Sequence, residues 1–446
     1  MTPLFSLLFD ALDKRLKLRA PGRKAANKVF PHHWSFLLGE IALVSFIVLL
    51  LTGIFLTMFY RPTTDPTMYT GSNEIFSGQE LPGAFESIVR ISYDVPGGLL
   101  FRRLHRAAAH LFVATIILHM LRVMLTGAFR RPREINYHVG VVLLLLAFAT
   151  GFTGYSLPYD ALAGTGIRVA YSMALSIPYI GDTLTFWIFG GEFPTGDVIP
   201  RFFVLHVLVL PLLIMGLIGI HLVLLMRQRH TQFPRRNIDG HRWIVGKPLW
   251  PSQFNETTTL TLWVGGLLAA SAVLVPWSDI MMQGPYRPGE VGNNAQPDWY
   301  MFFLEGALRL FPALEFSVLG MTISSAFFAG AVIPGLVIGF LFGYPFLERK
   351  VYKLEGDWHV LQNPLDVPLR AAFVTGTFVF LLLLSAGATN DILSRLTGIP
   401  VETWTLIFQI ACVVVPPASA GIMYWIAKRR LATAGGTVPS RESTSA

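Results

Sequence analysis

The chain has 446 residues, 53% hydrophobic and 14% charged, with a mean hydropathy of +0.53, too little charge to cover a water-soluble protein of this size. The net charge of +8 would suit nucleic acid, but its Lys and Arg are sorted segment by segment in the manner of a membrane protein, which excludes a nucleic-acid partner. One cysteine, Cys412, excludes an intrachain disulfide, a Cys-x-x-Cys-His haem attachment and a cysteine-ligated iron–sulfur cluster.

The first 33 residues are basic (Lys14, Arg15, Lys17, Arg19, Arg23, Lys24, Lys28) and read as a cytoplasmic amphipathic stretch, with no signal peptide. Eight apolar runs follow, each long enough to cross a bilayer: 34–58, 101–125, 139–158, 201–226, 257–277, 319–343, 369–388 and 404–427. With the N-terminus in the cytoplasm, connections on that side carry 23 Lys and Arg against 6 on the other. That asymmetry orients the chain as a multi-pass protein of a bacterial cell membrane, with both termini cytoplasmic. The expected fold is an all-α integral membrane protein of eight transmembrane helices. Residues 34–230 form an N-terminal four-helix bundle and 231–256 a cytoplasmic linker. Residues 257–428 form a C-terminal four-helix region and 429–446 a disordered cytoplasmic tail. The long connections 59–100, 159–200 and 278–318 share the outer side, and long ordered loops in a compact protein are usually functional.

Four histidines lie within apolar spans: His105 and His119 in the second, His206 and His221 in the fourth. Fourteen residues separate ligands by roughly 21 Å along a helix, and fourteen or fifteen steps return to within ~40° or ~60° of the starting face. Both helices enter from the outer side, so His105 pairs with His206 near that surface, and His119 with His221 deeper. Two imidazoles per metal suit six-coordinate haem iron, which passes electrons and binds no oxygen. The expectation is two non-covalent haems with these four residues as metal ligands. His110 points to another face and reads as packing. Gly39 and Gly53, and Gly140 and Gly154, repeat the fourteen-residue interval on the flanking first and third spans, leaving room for a haem edge. Arg102 and Arg122 each lie one turn from a ligand, placed to meet a haem propionate.

These stretches resemble the cytochrome b/b6 family of quinol–cytochrome c or plastocyanin reductases. The resemblance rests on LHRAAAHLFVATIILHMLRVMLTGAFRRPRE (104–134), GFTGYSLPYD (151–160) and RFFVLHVLVLPLLIMGLIGIHLVLLMRQ (201–228). It continues in PDWYMFFLEGALRLFP (297–312), GYPFLE (343–348) and QNP (362–364), over most of residues 34–390. The fifteen-residue interval is of the b6 type, and the two halves are fused as in bacterial bc1-type chains.

The resemblance implies the cytochrome b subunit of a respiratory quinol:cytochrome c oxidoreductase working by a Q cycle with proton translocation. Quinol, with menaquinone a candidate, is oxidised at the outer side. One electron goes to a Rieske iron–sulfur protein and a c-type cytochrome. The other crosses from a low-potential outer haem to a high-potential inner haem and reduces quinone. Pro297, Asp298, Trp299 and Tyr300 stand where the family keeps its outer quinol motif, with Tyr155, Tyr159 and Gly166 as the other wall. Asp298 replaces the usual glutamate, and Glu305 stands where mitochondrial forms have tyrosine. Asp298, Tyr300 and Glu305 are the catalytic candidates, with the proton acceptor left between Asp298 and Glu305. At the inner site the family's mitochondrial histidine is Met226 here, and Arg227 and His230 are the quinone candidates. The first span lacks the cysteine that tethers an extra haem in b6 forms, so two haems are expected. The family also implies membrane-lipid contacts, a homodimeric complex and association with a terminal oxidase. Two other readings stay open. A di-haem anchor of a dehydrogenase would lack the second half of this chain, and a haem-free transporter would be colourless.

Overall fold

A hydrocarbon layer offers no water to backbone N–H and C=O groups, so a chain this apolar must satisfy them within helices. The computed structural model describes residues 10, 13–15, 17 and 19–433, apart from 194, 236, 278 and 291–295. Among these are eight helices long and apolar enough to span: Trp34–Thr57, Gly98–Thr126, Glu134–Ser156, Val198–Arg227, Leu249–Leu274, Ser325–Tyr352, Pro368–Gly387 and Val401–Thr433. We number them as the first to eighth spans. The only sheets among the described residues are three two-stranded antiparallel pairs: Val29–Phe30 with Lys247–Pro248, Pro66–Met68 with Glu80–Pro82, and Phe316–Val318 with Met321–Ile323.

The first and second spans pack together, as do the third and fourth, and the seventh and eighth. The fifth lies against the first two, and the seventh reaches the second, joining the halves. Large apolar side chains on the fourth span, among them Leu208, Leu212, Leu213 and Ile220, are exposed; on a membrane helix such a face meets lipid or another apolar helix. The second span ends at Gly127, whose φ of +69° needs glycine and whose Cβ position the Arg370 guanidinium already crowds.

Some expected boundaries are wrong. The sixth span begins at Ser325, not 319, because Leu319 and Gly320, both at positive φ, turn a hairpin there. It then runs through Pro345 to Tyr352. The fifth begins at Leu249, so the last residues of the expected linker are helical. The eighth continues to Thr433, past the expected start of the tail at 429; residues 434–446 lie outside the described residues. Much of the basic N-terminal stretch also lies outside them; its described part includes a helix at Arg19–Ala26.

The halves are tied by charges out of water. Glu348 of the sixth span receives Arg130 from the loop after the second span at 2.7 Å and, on the same oxygen, Arg370 of the seventh. Arg370 also donates to Gln362 Oε1 at 2.8 Å, and Arg130 lies 4.9 Å from the Trp358 ring centroid. All three charged residues are buried. Glu348→Ala leaves two guanidiniums without their shared counter-charge, and we expect it to cost about 3–5 kcal/mol, seen as a lower denaturation midpoint of the detergent-solubilised protein.

Candidate functional site

The histidine intervals bring the expected pairs together. His105 and His206 face each other with ring centroids 6.3 Å apart at 70°. Each ring has its Nδ1 occupied by a flanking helix: His105 by Thr52 Oγ1 at 2.8 Å, His206 by the Thr150 carbonyl at 2.9 Å and Thr153 Oγ1 at 3.4 Å. An Nδ1–H donated outward leaves Nε2 with a lone pair, the tautomer that ligates metal. At about 2 Å per metal–nitrogen bond, one ion fits between two such rings. His119 and His221 are near enough for their charges to interact, and the His119 Nδ1 is buried without a hydrogen bond. Among the described residues no three His, Cys, Asp or Glu side chains gather around a bare ion.

All four glycines stand against these rings. The position of a Cβ at Gly39 lies 3.3 Å from His119 Cε1, at Gly53 3.4 Å from His105 Cε1, and at Gly140 3.8 Å from His221 Cε1. At Gly154 it would collide with His206 Cε1. The residues therefore fit haem: two imidazoles per group, Nδ1 anchored at the outer pair, and glycine where bulk would intrude. The Arg122 Nε and Nη2 atoms are buried without a hydrogen bond, with the guanidinium 4.5 Å from the Phe36 ring. Arg102 lies within reach of the charges of Asp160 and Asp279.

The fifteen-residue interval has a structural resolution. Leu205–Val209 form a π turn in which Leu210 N–H donates to the Leu205 carbonyl, five residues back. Such a turn inserts one residue into an α-helix, so fifteen residues present the second ring much as fourteen would. Pro211 explains its place, because the ring crowds the carbonyl four residues before it and removes a donor.

Between the end of the third span, the helix Ala161–Leu175 and the helix Phe302–Leu310 a cleft is lined by Tyr155, Gly166, Pro297, Met301, Leu304 and Glu305, among others. Three expected quinol-site residues are thus brought together: Tyr155, Gly166 and Pro297. Tyr159, Asp298, Trp299 and Tyr300 do not line the cleft. Asp298 is buried with Oδ1 held by Arg106 and Oδ2 accepting the Tyr300 hydroxyl at 2.8 Å. Tyr300 is buried against Phe148, and burial raises its pKa well above the usual tyrosine range. The Trp299 indole N–H donates to His110 Nδ1 at 3.0 Å. Tyr159 packs on Tyr286, ring centroids 5.3 Å apart, and burial pushes its hydroxyl up to about 12. Glu305 lies in the helix Phe302–Leu310, with its carboxylate on the cleft and paired with Arg309 at 2.7 Å. Arg309 in turn meets Asp391 at 2.9 Å.

On the inner side, Arg227 is the last residue of the fourth span. His230 is buried, its ring 4.3 Å from Phe30. Burial, then the charges of Lys28 and Arg133, lower its pKa to about 4, so it is neutral at ordinary pH. Lys28 donates to the Met226 carbonyl, and Leu249 N–H to the Lys28 carbonyl at 2.8 Å. These bonds fold the N-terminal segment over the exits of the fourth and fifth spans.

Sequence reasoning missed Arg106, because its partner Asp298 is 192 residues away. It also missed His110's bond to Trp299 and the threonines behind the ligands. A signal for those was present: Thr52-Gly53 and Thr153-Gly154 stand at equal distance before their histidines, 53 residues from threonine to histidine in both.

Comparison with known proteins places this geometry. A family model described as cytochrome b (N-terminal)/b6/petB matches residues 110–285. The cytochrome bc1 complex cytochrome b subunit of Corynebacterium diphtheriae is 41% identical over 415 residues, 93% of this chain and 76% of that one. Its counterpart in Mycobacterium tuberculosis is 42% identical over 416 residues, 93% of this chain and 75% of that one. The chain belongs to the cytochrome b/b6 family. A solved structure titled "Hyperthermophilic respiratory Complex III" shares the fold, with a TM-score of 0.66 at 22% identity over 93% of this chain and 99% of that one. This cytochrome b is therefore a multi-pass membrane protein of electron transport, of a family that holds b-type haem.

Proposed function

We propose that this cytochrome b is the catalytic membrane subunit of a respiratory quinol:cytochrome c oxidoreductase that runs a Q cycle. The observation that carries the reading is the outer histidine pair, its Nδ1 atoms bonded outward and its rings set one metal ion apart. His105 with His206 and His119 with His221 would hold two non-covalent b-type haems, which would supply an electron path between the two faces. Gly39, Gly53, Gly140 and Gly154 would leave them room, and Arg122 and Arg102 would meet their propionates. The path needs a donor on one face and an acceptor on the other.

Quinol sits in the outer cleft against Tyr155, Gly166 and Pro297, and Glu305 accepts its hydroxyl proton. Glu305 and not Asp298 is assigned this role because it is the carboxylate on the cleft, whereas Asp298 lies off the cleft and is charge-paired with Arg106. Through Arg309, Asp391 and Gln296, which bonds Asp391 at 3.0 Å, a polar chain leads on from it. Asp298, tied to Arg106, fixes the loop to the helix carrying His105. Arg227 and His230 frame the quinone-reducing site on the cytoplasmic face. The proposed partners are a Rieske iron–sulfur protein and a c-type cytochrome, in a homodimeric complex with the termini cytoplasmic.

Haem extraction and a reduced-minus-oxidised spectrum of the purified chain test the core of this reading. We expect two b-type haems per chain, separable by redox titration. One haem, or none, refutes it.

A further inference from the structure

Glu40 is the only charged residue of the first span, and it has no part in the function so far described. An ionisable side chain inside a membrane helix is costly and commonly marks a proton or ion path. It follows Gly39, which stands against the inner ligand His119, so it lies on the cytoplasmic half of the bundle at the depth of the inner pair. Its carboxylate faces the fifth span, accepting from Gln253 Nε2 at 3.0 Å and from Thr257 Oγ1 at 2.8 Å. Next to Thr257 is Glu256, close enough for its charge to act on Glu40. Glu256 pairs with Lys247 and, at 3.3 Å, with His32, whose side chain is 60% exposed. Titratable groups thus run from the cytoplasmic surface to a part-buried acid one residue from the glycine that stands against His119.

We propose that Glu40 is the proton donor for quinone reduction at the cytoplasmic face, refilled from the surface through His32 and Glu256. This rests on the reading that quinone is reduced there. As a quinone carbonyl oxygen gains an electron, originating in the quinol oxidised on the opposite face, the Glu40 O–H bond breaks and a quinone O–H bond forms. The carboxylate then regains a proton from the cytoplasm, and a second round of the same transfers completes the quinol. The alternative is a purely structural tie between the first and fifth spans.

Glu40→Gln separates the two, because an amide keeps a hydrogen-bonding carbonyl but carries no acidic proton. In the intact complex, the reduced b-type absorbance is followed after mixing, in separate runs, with a short-chain menaquinone analogue and with decylubiquinone. Re-oxidation is expected to slow about a hundredfold in Glu40→Gln, with unchanged haem content, and to recover largely in Glu40→Asp. The redox-induced infrared difference spectrum should lose a carboxyl C=O band in Glu40→Gln. Parent-like re-oxidation in Glu40→Gln, an equal loss in Glu40→Asp, or persistence of the band overturns the assignment to Glu40 while leaving the inner site standing. If the parent complex is re-oxidised by neither quinone, the inner-site reading and this proposal fall together.

Discussion

His119→Leu is expected to abolish one b-type component and leave the other. The four proposed ligands divide into an outer and an inner pair roughly 21 Å apart along the helix, so losing one imidazole empties one position. Leucine fills comparable space and suits an apolar helix. The outer ring, anchored by Thr52 and held across from His206, keeps its own surroundings. Redox titration of the variant should show a single b-type transition, and haem extraction about half the parent amount. Quinone reduction on the cytoplasmic face should stop altogether. If the variant is folded yet has lost both components, His105 does not pair with His206 as we assign it.

Glu305→Gln should lower quinol oxidation about a hundredfold or more, the ordinary worth of a positioned general base, without changing haem content. Glutamine preserves size and one hydrogen bond to Arg309, so the cleft persists while its proton acceptor is gone. The comparison that gives this force is Asp298→Asn. That change cuts the charge pairing with Arg106 and loosens the loop, so its effect should be smaller and should come with reduced stability. Stopped-flow reduction of the b-type absorbance by added quinol, run on both variants, measures the contrast. Should Asp298→Asn prove the slower enzyme while Glu305→Gln turns over normally, the proton leaves by way of Asp298.

The spans and the histidine register were readable in the sequence because both depend on local periodicity. A run of about twenty apolar residues has few folded alternatives in a bilayer, and interval arithmetic on a helix follows from its pitch alone. What depended on distant partners was not readable. Asp298 looked like the free carboxylate of a quinol motif until Arg106 and Tyr300 were seen to occupy it. Tyr159 belonged to the right loop, yet its ring turns to Tyr286 and away from the cleft. The sixth span began late because a hairpin of Phe316–Ile323 is as apolar as the helix after it, and hydropathy cannot tell one from the other. Glu40 stood in plain view, but its significance came only with Gln253 and Thr257, contributed by a helix two hundred residues on.

The widened turn at Leu205–Val209 bears on how lengths in such helices are compared. A count of residues measures contour, whereas a haem iron would sense only where two imidazole nitrogens arrive. Where one amino acid is looped outward, two chains with unequal numbering can offer the same clamp. An insertion next to Pro211 can thus leave the electron-carrying geometry intact, while the same insertion farther down the straight part of the rod would rotate His221 out of line.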